Sequence, residues 1–438
     1  MSMPSEGRPS LATRLPFFFG WVIIAVAFVT VALSVTARTA FSLMFAPIVE
    51  EFGWDRGLAA GAFSFGFLIS AVISPIVGRT MDKRGPRFVI EIGVVLTAAG
   101  LMGATMIQSP WQLYATLGLL VGAGVNCMSF SVQSQYLPNW FVCRRALATG
   151  IAFSGVGVGA ILILPWMQKI ILTEGWRSAS WTLGLLTLIV LLPLNLIVSK
   201  RPQDLGLLPD GAREAGAAAQ RHAATVVDPV WTSVDWTVGK AVRTLRFWWL
   251  AIGFFSAGYA WYAVQVHQTK YLVEIGFSPM QAAWSLGFVA MVAIPGQILL
   301  GGLSDRIGRE IVWTIASLGF VICYAALLGL AAGPSQPLLY LMVLSQGALG
   351  YSFTSLMGAV VAEIFDGPHF GSIFSLIMVS LLAGGAAGPY VTGVLHDIEG
   401  TYTAAFAVAL GFSALGGVSI WFAAPGKVRM VAGRAPKS

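Results

Sequence analysis

Charge is what this chain has least of. Only 10% of its 438 residues are Asp, Glu, Lys or Arg, while 57% are hydrophobic and the mean hydropathy is +0.78. Soluble domains carry about 25% charged residues, and no soluble core could hide this much apolar surface. Cysteine is scarce as well. Cys127, Cys143 and Cys323 stand far apart, in or near apolar segments, and suggest neither a disulfide framework nor a metal site. No Asp or Glu lies deep in any apolar run. Glu91 and Glu363 sit near run ends, and Glu50, Glu51, Asp55, Glu174 and Asp397 fall between runs. No nucleophile–base pair, metal cluster or cofactor loop appears, so the chain reads as a non-enzyme with no metal and no cofactor. The glycine-rich stretch 150–159 lacks the Gly-Lys-Ser/Thr ending of a phosphate loop and lies in an apolar run, where small residues serve close helix packing.

What is present is a set of membrane-length runs. A spanning helix needs roughly 20 mostly apolar residues. Twelve such runs occur, at about 17–47, 57–78, 88–107, 111–137, 146–172, 178–199, 246–273, 279–303, 311–332, 337–362, 371–395 and 403–424. They are continuous rather than alternating, which excludes a β-barrel. The expected fold is an all-α membrane protein of twelve transmembrane helices in two pseudo-symmetric six-helix bundles. The expected boundaries are a tail 1–16, bundles 17–199 and 246–424, a linker 200–245 and a tail 425–438. Within the linker, 203–230 reads as flexible and 232–246 as an amphipathic helix on the membrane surface. With both termini inside, 21 of the 26 Lys and Arg fall on the cytoplasmic side; the other five are Arg38, Arg56, Lys169, Arg177 and Lys270. That bias fixes the expected orientation and explains the net charge of +7 without nucleic acid. Arg8 and Arg14 before the first run leave a signal peptide as the competing reading. The run is longer than a signal peptide's apolar core, so a retained first helix is expected.

The pattern Gly-x-x-x-Asp-x-x-Gly occurs twice, as Gly78…Asp82…Gly85 and Gly301…Asp305…Gly308, with the aspartates 223 residues apart. Each copy lies in a short basic loop between runs. Phe52-Gly53-Trp54 pairs with Ile275-Gly276-Phe277, and Trp140-Phe141 with Ile364-Phe365, at offsets of 223 and 224. A constant offset implies one six-helix unit, duplicated.

These features resemble the major facilitator superfamily, whose signature loop the two repeats match. Within it, Gly20-Trp21, the stretch from Tyr136 to Gly157 and Val266-His267 with Tyr271-Leu272 resemble the monocarboxylate transporter and oxalate/formate antiporter group. The resemblance implies alternating access by a secondary transporter of a mono- or dicarboxylate, working as a symporter or antiporter in a bacterial-type inner (plasma) membrane. Three departures matter. Phe17-Phe18-Phe19 stands where the group often has an acidic residue, Ala290 and Ile294 stand where animal carriers have Asp and Arg, and the eleventh run lacks the Lys of oxalate carriers.

An ionisable residue inside a membrane helix is costly and a functional candidate by default. Arg38 lies 12 residues before Glu50, about 18 Å at ~1.5 Å per residue, and can hold a carboxylate bidentately. Its alternative is a structural arginine bonded to neighbouring carbonyls. His267 and Lys270 share one face of the seventh run. His267 can titrate near neutral pH; its alternative is a packing histidine. Lys270 is near a helix end with Glu274 at i+4. Asn126, Gln133, Tyr262, Gln346 and Tyr351, with Tyr259 and Gln265, are softer substrate contacts or helix–helix hydrogen bonds. A gating set comprises Gly78, Asp82, Gly85, Arg87, Arg144, Arg145, Gly301, Asp305, Gly308, Arg309 and Glu363. In it the aspartates accept from helix N-termini and arginines to hold the cytoplasmic side shut; a fixed structural charge cluster is the other reading.

Positive charge without buried carboxylate favours a small organic anion as substrate, with protons or a counter-anion as coupling partner and a monomer in the lipid bilayer. An exporter of amphipathic compounds and a transporter-derived sensor without net flux remain the alternatives. Pro165 stands alone in the fifth run, without the Gly-Pro motif of drug exporters, which disfavours the first of these.

Overall fold

The computed structural model describes residues 16–211 and 223–434. Residues 1–15 of the expected tail 1–16 and most of the Ala-rich piece of the linker, 215–224, lie outside the described residues. Among the described residues, nine helices are long and apolar enough to cross a membrane. The first is α1, Gly20–Phe52. Arg56–Gly103 breaks at Gly85 into α2 (56–84) and α3 (86–103). Pro110–Trp140 is α4. Arg145–Asn195 breaks at Gly175 into α5 (145–174) and α6 (176–195). Leu245–Glu274 is α7, 30 residues long though less apolar than the nine. Then come α8 Pro279–Ile307, α9 Arg309–Leu330, α10 Gln336–Ile364, α11 Phe370–Glu399 and α12 Thr403–Ala423. Nine spans, two of them double, together with α7 make the expected twelve rods.

The duplication is written into the backbone. Gly53 and Gly276 have φ 64° and 106°, Gly85 and Gly308 have 80° and 112°, and Gly175 and Gly400 have 88° and 68°. Side-chain-bearing residues rarely adopt such angles, so glycine permits the same turn at matching points of both halves. The large buried clusters stay within halves: one runs from Trp236 to Ala423, the other two from Phe19 to Val198. Each half is thus a body with its own core.

The halves meet along α5–α8 and α2–α11. A Cβ on Gly301 would lie 2.5 Å from the Ala146 carbonyl, and one on Gly78 2.5 Å from that of Gly371. In α10, a Cβ on Gly358 would lie 2.7 Å from the Ser134 carbonyl of α4. These contacts lie toward one face, called here the linker face because it also carries the repeated loops and the linker.

Two features depart from the expectations. The segment 232–246 is not one helix. Asp228, Thr237 and Thr244 each accept from the backbone N–H three residues on, and these successive caps divide the region into Pro229–Thr232, Val238–Ala241 and the start of α7. Trp236 is buried against Phe365 rather than laid on a membrane surface. The linker also engages the C-terminal tail: Val227 N–H donates to Val428 O (2.9 Å), Met430 N–H donates to Thr225 O (2.7 Å), and Val226 bridges Arg429 in antiparallel fashion.

Candidate functional site

Arg38 sits midway along α1. Its Nη2 donates to Ser70 Oγ of α2 at 3.0 Å, and its guanidinium lies 4.6 Å from the centroid of Phe67, one turn earlier on α2. Ser70 Oγ in turn donates to Gly66 O (2.9 Å) and to Gly122 O of α4 (3.0 Å). Three helices therefore hold one cation at mid-membrane. Among the described residues Arg38 has no carboxylate partner.

Rings continue from this point across the boundary between halves. Phe41 stacks on Phe63 (5.4 Å between centroids), and Phe63 meets Phe67 (5.2 Å). Phe67 meets Tyr262 of α7 edge-on at 6.3 Å, which joins the N-terminal half to the C-terminal half. Trp261 stacks on Tyr351 of α10 at 4.1 Å and 14°, and the Tyr351 hydroxyl accepts from Gln346 Nε2 at 3.2 Å. Arg38, Tyr262, Tyr351 and Gln346 thus fall on one chain of contacts. Asn126 lies four residues beyond Gly122, on the same face of α4. It is buried, and its carboxamide makes no hydrogen bond among the described residues.

Three candidates stand elsewhere. Gln133 is spent on a break in α4. At Ser129 the backbone turns extended (ψ 168°), and Gln133 Nε2 donates to the freed Met128 carbonyl at 3.3 Å while its oxygen accepts from Tyr136. His267 contacts Pro389 O (3.0 Å) and the Tyr402 hydroxyl (3.3 Å), both in its own half. Lys270 is 66% exposed and sits 3.6 Å from Glu274, as a lysine near a helix end can by stretching outward.

The second cluster lies at the linker face. Helix α11 begins without a side-chain cap of its own, and Asp82 of the other half supplies one: its carboxylate accepts from Gly371 N (2.8 Å), Ser372 N (2.8 Å) and Ser372 Oγ (2.6 Å). Helix α5 likewise lacks its own cap, and Asp305 from the other half accepts from Ala146 N (3.2 Å) and Leu147 N (2.9 Å). A carboxylate on a helix N-terminus answers both the orphan N–H groups and the positive end of the helix dipole. The arrangement is reciprocal, yet its supports differ. Asp305 pairs with buried Arg309 (2.7 Å), which pairs with buried Glu363 (2.8 Å). At the matching positions the first half has Pro86 and Asn139. There Lys200 donates to the Asp82 carbonyl oxygen at 3.0 Å, its ammonium drawn below its ordinary pKa by burial. Gln135 Nε2 adds a further bond across the halves, to Ser375 Oγ at 3.1 Å. Arg87 pairs within its own helix with Glu91 (2.9 Å), Arg144 is exposed, and Arg145 is buried at the α5 N-terminus. Sequence reading missed Ser70, Phe67, Trp261 and Gln135. The signal for Phe67 and Ser70 was the spacing Phe63, Phe67, Ser70, which lines one face of α2; Trp261 and Gln135 had none.

A family model for the Major Facilitator Superfamily matches residues 27–357. The chain belongs to that superfamily. It is 26% identical to Monocarboxylate transporter 13 of Rattus norvegicus over 397 residues, 90% of this chain and 86% of that one. It is also 26% identical to Monocarboxylate transporter 11 of Homo sapiens over 421 residues, 93% and 83% of the two chains. Among solved structures, a proton:xylose symporter matches with TM-score 0.75 at 13% identity, covering 94% of this chain and 98% of that one. A human organic anion transporter matches with TM-score 0.69 at 16% identity, covering 93% and 100%. These structures establish the shared fold. The protein is a multi-pass membrane transporter related to monocarboxylate transporters, and not an enzyme.

Proposed function

We propose that this transporter moves a small organic anion by alternating access, with Arg38 as its primary contact. The observation that carries the reading is a cation at mid-membrane with no carboxylate partner among the described residues. Leaving a charge unpaired away from water costs several kcal/mol, and an entering carboxylate offsets that cost. The guanidinium uses one donor on Ser70, which leaves the others for a substrate. Relatives named for monocarboxylates, and a fold neighbour named for organic anions, support an anion over a cation.

In this reading the linker face is cytoplasmic and the plasma membrane is the site of action. The reciprocal Asp82 and Asp305 caps hold the cytoplasmic side shut, so the structure represents a state closed to the cytoplasm. Return to the inward-facing state requires both caps to be given up together. Coupling in this reading is to a counter-anion rather than to His267, which meets Pro389 and Tyr402 of its own half and stands apart from Arg38.

The test is uptake of radiolabelled carboxylates by proteoliposomes, wild type beside Arg38→Ala. Uptake in the wild type, trans-stimulated by internal anion and lost in a folded Arg38→Ala, is the expected result. If the wild type moves no carboxylate under either a pH gradient or anion loading, the carrier reading fails. An amphipathic-compound exporter, for which the ring chain speaks, or a flux-free sensor then takes its place.

A further inference from the structure

We infer that the anion carried is a monocarboxylate with an aromatic body, which rests on the anion reading above and narrows it. Four observations lead there. The first is a charge count: Arg38 is one cation, His267 and Lys270 do not join it, and among the described residues no other Lys or Arg is in contact with the chain of residues around it. One guanidinium answers one carboxylate, and a second carboxylate entering the site would be left without a partner. The second is the missing acid: with no carboxylate beside Arg38 among the described residues, nothing receives the ammonium of an amino acid.

The third is that the polar side chain holding the cation is already engaged. Ser70 gives its proton to helix carbonyls and receives Arg38, and the Tyr351 hydroxyl receives Gln346. Asn126 and the Tyr262 hydroxyl make no side-chain hydrogen bond among the described residues and leave room for a polar substituent on such an acid, for instance a keto group. The fourth is what does surround the cation. Phe67 lies under the guanidinium, Tyr262 faces Phe67 from the other half, and Trp261 and Tyr351 extend the ring surface into α10. Rings of both halves therefore border the site, so a flat apolar body is gripped from both sides as the halves close on it. Offset-stacked and edge-on ring pairs favour such a body over an aliphatic chain of similar size.

The experiment is competition and direct uptake in proteoliposomes holding the full chain. Phenylpyruvate and benzoate are set against pyruvate, lactate and succinate, in the wild type, Phe67→Leu and Trp261→Leu. The expected result is that the aryl acids are taken up with KM at least about tenfold below their short-chain counterparts. Both substitutions should raise KM for the aryl acids by about tenfold more than they raise KM for pyruvate. Phe67→Tyr, which keeps the ring, should stay near wild type and guards against a variant that merely folds poorly. If pyruvate, lactate or succinate is preferred over the aryl acids, this inference is overturned while the anion reading stands. If no carboxylate of any kind is moved, both fall.

Discussion

At the scale of single residues, the two signature aspartates make the sharpest comparison. Each caps a helix of the opposite half, an interaction worth about 1 kcal/mol where the cap alone is counted. Asp305 is also tied to the buried Arg309–Glu363 pair, whereas Asp82 is not. Asp82→Asn should therefore shift the balance toward the inward-facing state by roughly a factor of five, read as increased labelling of cytoplasmic-cavity cysteines or by inter-half distance measurements. Asp305→Asn should do more harm, because it also weakens a buried ion pair: a lower thermal transition accompanies the shift. An unchanged population in Asp82→Asn would remove the gating role. Arg38 was legible as a candidate because an arginine in an apolar run is costly wherever it points. Its partners Ser70 and Phe67 were not, because hydropathy does not tell which neighbour a face meets. His267 and Lys270 share a face, as their spacing requires, but that face turns to α11, α12 and the helix end rather than to Arg38.

At the scale of elements, the break in α4 at Ser129 was invisible in the sequence. No glycine or proline marks it, and the extended backbone is held by Gln133 reaching back to Met128 O. Gln133→Leu should leave that carbonyl unpaired in an apolar setting and cost about 1 kcal/mol, seen as a lower unfolding temperature in detergent. Unaltered stability would show that the break does not need its pin. On the face opposite the linker, the ends of α1, α3 and α6 are clasped together. Arg177 donates to Glu51 at 2.6 Å and to Thr105 O at 3.0 Å, and Trp176 Nε1 donates to Glu51 at 2.8 Å. The Arg177 hydrogen bond, followed by that of Trp176, holds the Glu51 carboxyl below its ordinary pKa. A lowered folded-state value means the clasp contributes its full stability above the ordinary carboxylate range and loses it as pH falls through the lowered value. Stability of Glu51→Gln should accordingly differ from wild type at pH 7 and converge with it in strong acid, as thermal melts across pH would show. The linker illustrates the opposite kind of miss: 232–246 reads as an amphipathic surface helix, yet three capping residues in close succession cut the region into turns.

At the scale of the whole molecule, two bodies with separate cores touch along seams of small residues, which allows them to move against each other without repacking either core. The later part of the linker, 223–245, and the C-terminal tail belong to the second body, whereas 200–211 packs on the first. The Gly426 N–H donates to Glu310 Oε1 at 2.6 Å, Arg429 sits 3.4 Å from Asp366, and Trp231 Nε1 donates to Ile364 O at 2.8 Å. Removing residues 426–438 should strip the partners of Thr225 and Val227, expose the linker to limited proteolysis and lower thermal stability, while uptake continues at a reduced rate. A protease pattern identical to the full chain would show that the tail pairing is dispensable.

Composition and periodicity alone determined that the chain crosses the membrane many times, that it is a duplicated six-helix unit and that a conspicuous cation lies inside it. Those properties follow from local or repeated signals: apolar run length, charge placement and a pattern recurring at constant offset. Only the tertiary structure decided that each aspartate caps a helix of the other half, that Arg38 stands without an acid among the described residues and beside rings from both halves, and that tail and linker pair. Such facts join residues far apart in the chain, and helix rotation and packing, which no single-sequence period encodes, bring them together.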